Sequence, residues 1–132
     1  MNKWLRAVCV GAAAAAMLTA SAFAANYTNC ADSLHEMGLF QGTQNGYDLD
    51  RTPTRAEASV MLVRLLGKEA EAKTLTYTAP FTDLKGWEKP YVQYLYSNGL
   101  ANGTNRTTFH PTGKCTAQMY ATFLLRALGY SD

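Results

Sequence analysis

The sequence lacks an excess of charge of either sign once its first residues are set aside. Lysine and arginine number 12, and aspartate and glutamate number 10, in the full 132 residues. Lys3 and Arg6 lie within the first 24 residues, so 10 basic and 10 acidic residues remain after them. A near-neutral domain lacks the basic face and high isoelectric point of nucleic-acid-binding proteins. The composition therefore argues against nucleic acid as a partner.

Long apolar runs are missing beyond the N-terminus. Residues 7–18 are all apolar or glycine and precede Ala22-Phe23-Ala24, a small-x-small cleavage site. This pattern is typical of a secretory signal peptide, here residues 1–24. An uncleaved anchor is the alternative, although alanine-rich runs make poor permanent spans. No other stretch approaches about 20 apolar residues, so we expect a secreted protein with no membrane span after cleavage.

The recurrent catalytic motifs are also absent. The sequence has no G-x-S-x-G, no phosphate-binding glycine loop and no H-E-x-x-H. We therefore expect neither enzyme activity nor a cofactor.

Cysteine and histidine are scarce. Of the three cysteines, Cys9 lies in the signal, and Cys30 and Cys115 remain. In an exported chain this pair either forms one disulfide or stays as free thiols. His35 and His110 each lie five residues from a cysteine, which on a helix places the side chains about 140° apart, unlike the i, i+4 spacing that chelates. No metal site is expected.

The sequence repeats itself at an interval of about 60 residues. Residues 37–43 resemble residues 98–104, and residues 62–67 resemble residues 124–129. Two copies of one supersecondary unit therefore fill most of the chain. The resulting division is a first repeat over residues 25–73, a linker over residues 74–80 and a second repeat over residues 81–132.

Each repeat is predicted to consist of a helix, a glycine-rich loop and a second helix. Thr54-Arg55-Ala56-Glu57 is a complete capping box, followed by an apolar helical stripe. Further N-caps are expected at Asn29 and Thr116, and Pro90 suits a first turn. Glycines after the apolar stripes predict the helix ends, at Gly38, Gly67, Gly99 and Gly129. The predicted fold is all-α, with four main helices that form part of a helical bundle.

In this order the motifs resemble the S-layer homology (SLH) family. The first copy carries Thr54-Arg55-Ala56-Glu57, and the second carries Phe81-x-Asp83-Leu84, Trp87, Gly99-Leu100-x-x-Gly103, Phe109-x-Pro111 and Thr116. The resemblance covers roughly residues 29–130. It implies a module that holds exported proteins on the bacterial cell surface without covalent bonds, by binding cell-wall polysaccharides, often pyruvylated, or peptidoglycan. It also implies a fold of three repeats, with the arginine of the Thr-Arg-Ala-Glu motif beside a groove.

The sequence departs from the family pattern in two places. The first copy lacks the Phe-x-Asp and Trp portion, so we regard it as truncated. The second copy has Thr116-Ala117-Gln118-Met119 where the family has Thr-Arg-Ala-Glu. One arginine-bearing motif is left and no third repeat follows, which fits either a truncated product or assembly with other copies.

Arg55 is the leading candidate for binding an anionic glycan. A cation in the first turn opposes the helix dipole, so helix stability alone does not explain it. We expect its guanidinium at the mouth of the preceding loop, beside free helix amides, where it stabilises nothing in the fold. For Glu57 and Trp87 a glycan contact competes with a capping role and a core position, which are the favoured alternatives. Gly42 and Gly46 serve turns and could let a sugar approach the backbone.

These residues favour non-covalent anchoring to the bacterial cell surface through an anionic cell-wall polysaccharide. The alternative is an assembly module that pairs with other SLH repeats and binds no glycan. Incomplete cover over Met61 and Leu65 predicts a dimer or trimer, because exposed apolar patches usually mark an interface.

Overall fold

A computed structural model describes residues 27–130, and the chain is all-α there. The predicted signal peptide lies outside the described residues. The helices are α1 over residues 27–36, α2 Arg55–Leu65, α3 Glu69–Thr74, α4 Lys89–Ser97 and α5 Ala117–Ala127. Between residues 27 and 130, extended pairing is limited to two isolated bridges. The all-α prediction is confirmed, with α3 as a short additional helix after Gly67.

The chain divides into two compact units, Met1–Leu49 and Asp50–Asp132. The first unit contains α1 and the glycine-rich loop that follows it. The second contains α2 to α5, so the capping-box helix of the first predicted repeat shares a unit with the whole second repeat. The repeat boundaries at residues 73 and 81 were inferred from the sequence repeat and stay a prediction.

Helix starts follow the predicted caps with one exception. The Thr54 side chain accepts from the Glu57 amide, and the Thr116 side chain accepts from the Met119 amide at 3.2 Å. Asn29 is not an N-cap, because residues 27–30 are already helical and its carbonyl accepts from Ser33 Oγ at 3.1 Å. An N-cap residue has non-helical backbone angles, so that prediction is wrong.

The predicted glycine stops are confirmed. After α2, Gly67 has φ +67° and donates to Arg64 O at 2.9 Å, while Lys68 donates to Val63 O at 3.0 Å. This pair of bonds is the Schellman motif, which satisfies the last carbonyls of a helix and needs the left-handed backbone that glycine adopts readily. The same pattern ends the other long helices, at Gly38, Gly99 and Gly129.

The core of the second unit lies around α4, which contacts both α2 and α3. Five consecutive residues of α4, from Tyr91 to Leu95, are buried. The segment before α4 covers a further side, because the Gln93 amide oxygen accepts from the backbone of Thr78 at 2.7 Å and of Ala79 at 2.8 Å. Gln93 is 4% exposed, so these bonds satisfy a polar group that burial would otherwise penalise. No helix described between residues 27 and 130 has the length and apolarity needed to cross a membrane.

Candidate functional site

The capping box at the start of α2 is reinforced by an ion pair. Glu57 accepts from the Thr54 amide at 2.7 Å and from Arg51 at 2.6 and 2.8 Å. The Arg51 guanidinium, together with the Thr54 bonds, holds the pKa of Glu57 at about 2, against an ordinary value of 4.5. Both carboxylate oxygens of Glu57 are therefore engaged within the protein, in the capping role that the sequence favoured.

The first-turn amides of α2 are occupied by the protein itself. Arg55 N donates to Gly113 O at 2.8 Å, Ala56 N donates to Pro111 O at 3.0 Å, and Glu57 N donates to Thr54 Oγ1 at 3.2 Å. These groups usually lack partners at a helix start and form a ready site for an anion. The expected free amides are thus absent from α2, and that part of the prediction is wrong.

Arg55 is buried rather than displayed. Its residue exposure is 5%, its Nε donates to Phe109 O at 2.9 Å, and its Nη2 donates to Asn102 O at 2.9 Å. The guanidinium lies over the Phe109 ring, 4.6 Å from the centroid, where a cation–π contact is favourable. Burial lowers the pKa of Arg55 below its usual value. The expectation that Arg55 stabilises nothing in the fold is wrong, because it joins α2 to residues 102–110, hereafter the 102–110 loop.

Asp83 holds the same loop from its other side. Its Oδ1 accepts from Phe109 N at 2.9 Å, and its Oδ2 accepts from His110 N at 2.7 Å. Burial would raise the pKa of Asp83, but the amides of Phe109 and His110 outweigh it and the pKa is lowered. The Phe81-x-Asp83 pattern by itself assigns no role to the acid. The buried Phe109 needs an acceptor for its amide, and an acid next to the apolar Leu84 was the available signal.

Gly103 allows the loop to pack closely. A Cβ on this glycine would lie 2.4 Å from the Phe81 ring and 2.6 Å from the carbonyl oxygens of Asn105 and Thr108. The Phe81 ring in turn packs at 5.5 Å from the Phe109 ring. This position has no room for a side chain, so it requires glycine.

Trp87 and Phe81 differ in position. Phe81 is 4% exposed and belongs to the core, whereas Trp87 is 54% exposed at the turn before α4. The core alternative for Trp87 is wrong, because more than half of the residue is exposed to solvent. An indole exposed to this extent presents an apolar face to solvent.

Several basic residues between positions 85 and 114 of the second unit form no ion pair. The basic residues that form ion pairs with carboxylates are Arg51, Arg64, Lys68 and Lys73. Four in the range 85–114 have no carboxylate partner among residues 27–130, hereafter the unpaired cations: Lys85, Lys89, Arg106 and Lys114. Of these, Lys89 lies over the Tyr77 ring, 5.4 Å from its centroid. The bond from Thr82 N to Thr107 O, at 3.0 Å, connects the chain near Lys85 and Trp87 to the loop that carries Arg106. These cations and the exposed indole are suited to a ligand that combines apolar ring faces with negative charge.

The predicted glycine contacts belong to the first unit. Gly42 and Gly46 flank a tight turn in which Thr43 N donates to Gly46 O at 2.7 Å and Gly46 N donates to Thr43 O at 3.1 Å. A Cβ on Gly42 would lie 2.8 Å from Gly46 O, so the turn itself requires this glycine. Their role in turns is evident, and their glycan contact stays a prediction.

The cysteines are free thiols in this structure. Cys30 is exposed, whereas Cys115 is buried, and its burial raises the pKa of the thiol. The two cysteines belong to different units, and a disulfide between them stays a prediction. Within residues 27–130, no group of three or more histidine, cysteine, aspartate or glutamate side chains is arranged to hold a metal ion.

Comparison with known proteins agrees with this geometry. The S-layer homology domain family matches residues 80–116, which contain Trp87, Asp83, the 102–110 loop and all four unpaired cations. The chain is 33% identical over 119 residues to the middle cell wall protein of Brevibacillus brevis, covering 88% of this chain and 11% of that protein. It is 32% identical over 100 residues to the surface layer protein of Brevibacillus choshinensis, covering 74% and 9%. It is 28% identical over 130 residues to the cell surface protein of Thermoanaerobacter kivui, covering 96% and 17%.

The chain thus spans 9% to 17% of the length of these relatives. The matched segment begins just before Phe81-x-Asp83 and ends at Thr116, which are the limits of the motifs that the second repeat carries. The hydrogen bonds of Asp83, the burial of Phe109 and the lack of space at Gly103 explain why those residue types occur at those positions. The chain carries an S-layer homology domain over residues 80–116.

Proposed function

We propose that this protein attaches non-covalently to the bacterial cell surface by binding an anionic cell-wall polysaccharide, such as a pyruvylated one, or peptidoglycan. Its S-layer homology domain and its likeness to proteins named for the cell wall or cell surface support attachment in general. The observation that carries the glycan part is the exposed Trp87 in a segment with four unpaired cations. Export through the N-terminal signal is part of the same proposal.

The chemistry of this surface fits such a ligand. An indole face packs against the C–H groups of a sugar ring and loses little conformational entropy on binding. Lysine and arginine form charge-assisted hydrogen bonds with carboxylates, which a pyruvyl ketal supplies. Arg55, Glu57, Gly42 and Gly46 stay in the proposal, the first two as residues whose internal bonds shape the surface and the glycines as a second region, in the first unit.

Binding to purified cell-wall sacculi, with and without their secondary polysaccharide, tests the proposal. We expect the purified protein to co-sediment with intact sacculi and to lose most binding when the polysaccharide is stripped. Trp87→Ala should weaken binding about tenfold, whereas Tyr27→Ala, at an aromatic residue 65% exposed on α1, should not. Lys114→Gln should weaken binding more than Lys68→Gln, because Lys68 already pairs with Glu71.

Two results would contradict the proposal. One is a failure of the purified protein to co-sediment with intact sacculi, which carry both the polysaccharide and the peptidoglycan. The other is a Trp87→Ala variant that binds as well as the parent.

One observation favours the alternative, an assembly module. Among the residues of α5 only Phe123 is buried, while Leu125, Leu128 and Tyr130 at its end are 51%, 74% and 67% exposed. This apolar surface would be covered by association with another copy or another SLH repeat. Neither function involves a chemical reaction.

A further inference from the structure

Two charged side chains from distant motifs hold one residue of the 102–110 loop. Arg55, which lies 54 residues before Phe109, donates to its carbonyl, and Asp83, which lies 26 residues before it, accepts from its amide. Phe109 is fully buried. Both backbone groups of this residue therefore depend on a side chain, since neither belongs to a helix or a sheet.

The loop conformation is not one that its own sequence favours. His110 has φ +62°, which is uncommon for a residue with a side chain and costs of order 1 kcal/mol or more. Such a backbone persists only where its surroundings fix it, and here the bond from His110 N to Asp83 Oδ2 at 2.7 Å does so. At the other end of the loop, Arg55 Nη2 holds Asn102 O at 2.9 Å. Without these two side chains we expect the loop to relax.

We infer that Arg55 and Asp83 are positioning residues of the cell-wall binding surface: they fix the 102–110 loop, and with it Arg106, without touching the glycan themselves. This inference rests on the proposed function. It accounts for a motif arginine that is 5% exposed, and it gives Asp83 a role although a carboxylate would repel an anionic ligand. The Thr-Arg-Ala-Glu motif of one repeat thereby completes the binding surface of the next repeat.

The direction in which Asp83→Asn changes the affinity for the glycan distinguishes a positioning role from a direct effect of charge. If binding depends only on charge near the ligand, Asp83→Asn removes a negative charge and should strengthen the binding of an anionic glycan. If Asp83 acts through the loop, the same variant loses an acceptor for two amides and should weaken binding. Asp50→Asn is the matched control, because it removes the same charge from an exposed residue outside the loop.

The experiment measures sacculus affinity for the full protein and for Arg55→Lys, Asp83→Asn and the double variant. Arg64→Lys and Asp50→Asn serve as controls. All are compared at a temperature where circular dichroism shows every variant folded. Amide hydrogen exchange at Phe109 and His110, followed by NMR, reports loop order independently of binding. We expect Arg55→Lys and Asp83→Asn each to bind about tenfold more weakly than the parent and to exchange faster at these two amides. The two control variants should match the parent in both measurements.

The double variant should bind about as weakly as either single variant, because residues that act through one structural element are not additive. An Asp83→Asn variant that binds as tightly as the parent or more tightly, while Arg55→Lys weakens binding, would overturn the inference in favour of a direct Arg55 contact. If the parent protein fails to bind sacculi, the proposed function itself fails. If the parent binds sacculi and both single variants bind equally well, the positioning inference is wrong and the proposed function still stands.

Discussion

At the scale of single residues, Arg55 has the largest expected effect on stability. Arg55→Ala removes a cation–π contact and leaves the carbonyls of Phe109 and Asn102 without their donor. The buried Phe109 carbonyl costs about 1–3 kcal/mol when left unsatisfied, whereas Asn102 is exposed and its carbonyl can bind water, so the free energy of unfolding should fall by roughly 2 kcal/mol or more. Urea denaturation measures this fall. Arg106→Ala, at an exposed arginine, should stay within about 0.5 kcal/mol of the parent, and an unchanged Arg55→Ala would contradict the buried position.

Gly103 offers a second residue-scale test. Gly103→Ala should destabilise the protein by about 2 kcal/mol or more, because the new Cβ would overlap Phe81 and two carbonyl oxygens that belong to the packed loop. Gly86→Ala is a matched control, since a Cβ there meets nothing within 4 Å. It should be neutral or up to about 1 kcal/mol more stable. Comparable melting temperatures for the two variants would show that the loop can open without cost.

At the scale of elements, one carboxylate caps a helix of the second unit and another connects three of its helices. Glu57 caps α2 and pairs with Arg51, while Glu69 of α3 accepts from Tyr91 of α4 at 2.7 Å and from Arg64 of α2 at 3.2 Å. The hydrogen bonds from Tyr91 and Arg64 hold the pKa of Glu69 at about 2, and those from Arg51 and Thr54 do the same for Glu57.

These lowered pKa values predict acid sensitivity. A carboxyl group whose pKa falls on folding contributes stability above its unfolded pKa and loses it as pH falls through the folded value. Stability from both groups should therefore be complete above about pH 4.5 and disappear progressively toward pH 2. Denaturation at a series of pH values measures this change. Glu57→Gln and Glu69→Gln should each lower stability at pH 7 and flatten the slope below pH 4.5, and an unaltered slope in both would contradict the assignment.

At the scale of the whole molecule, the end of α5 predicts self-association. Leu125 in α5 and its C-cap residue Leu128 are 51% and 74% exposed, and within the second unit α5 contacts α2 alone. Sedimentation at micromolar concentration should show a dimer or trimer, and Leu128→Glu should shift it toward monomer without loss of helicity. A monomeric parent with a cooperative melt would count against the assembly alternative.

The local features of this protein could be read from the sequence because they depend on neighbours in the chain. The capping box of α2, the Thr116 cap, Pro90 in the first turn and the glycine stops all involve bonds within about five residues. The Asn29 cap failed because propensity for a cap does not exclude a helix that already includes residue 27. For the candidate site, the sequence selected Trp87 and Arg55 by resemblance but misjudged the exposure of both.

What the sequence determined by itself is therefore the helical repeat, its caps and its family, since each rests on short-range spacing. What only the tertiary structure decided is which groups face solvent. Arg55 is buried and donates hydrogen bonds to carbonyl groups 47 and 54 residues away, whereas Trp87 lies outside the core. Partners at such separations are selected by the packing of α2 against the second repeat, which no local pattern specifies.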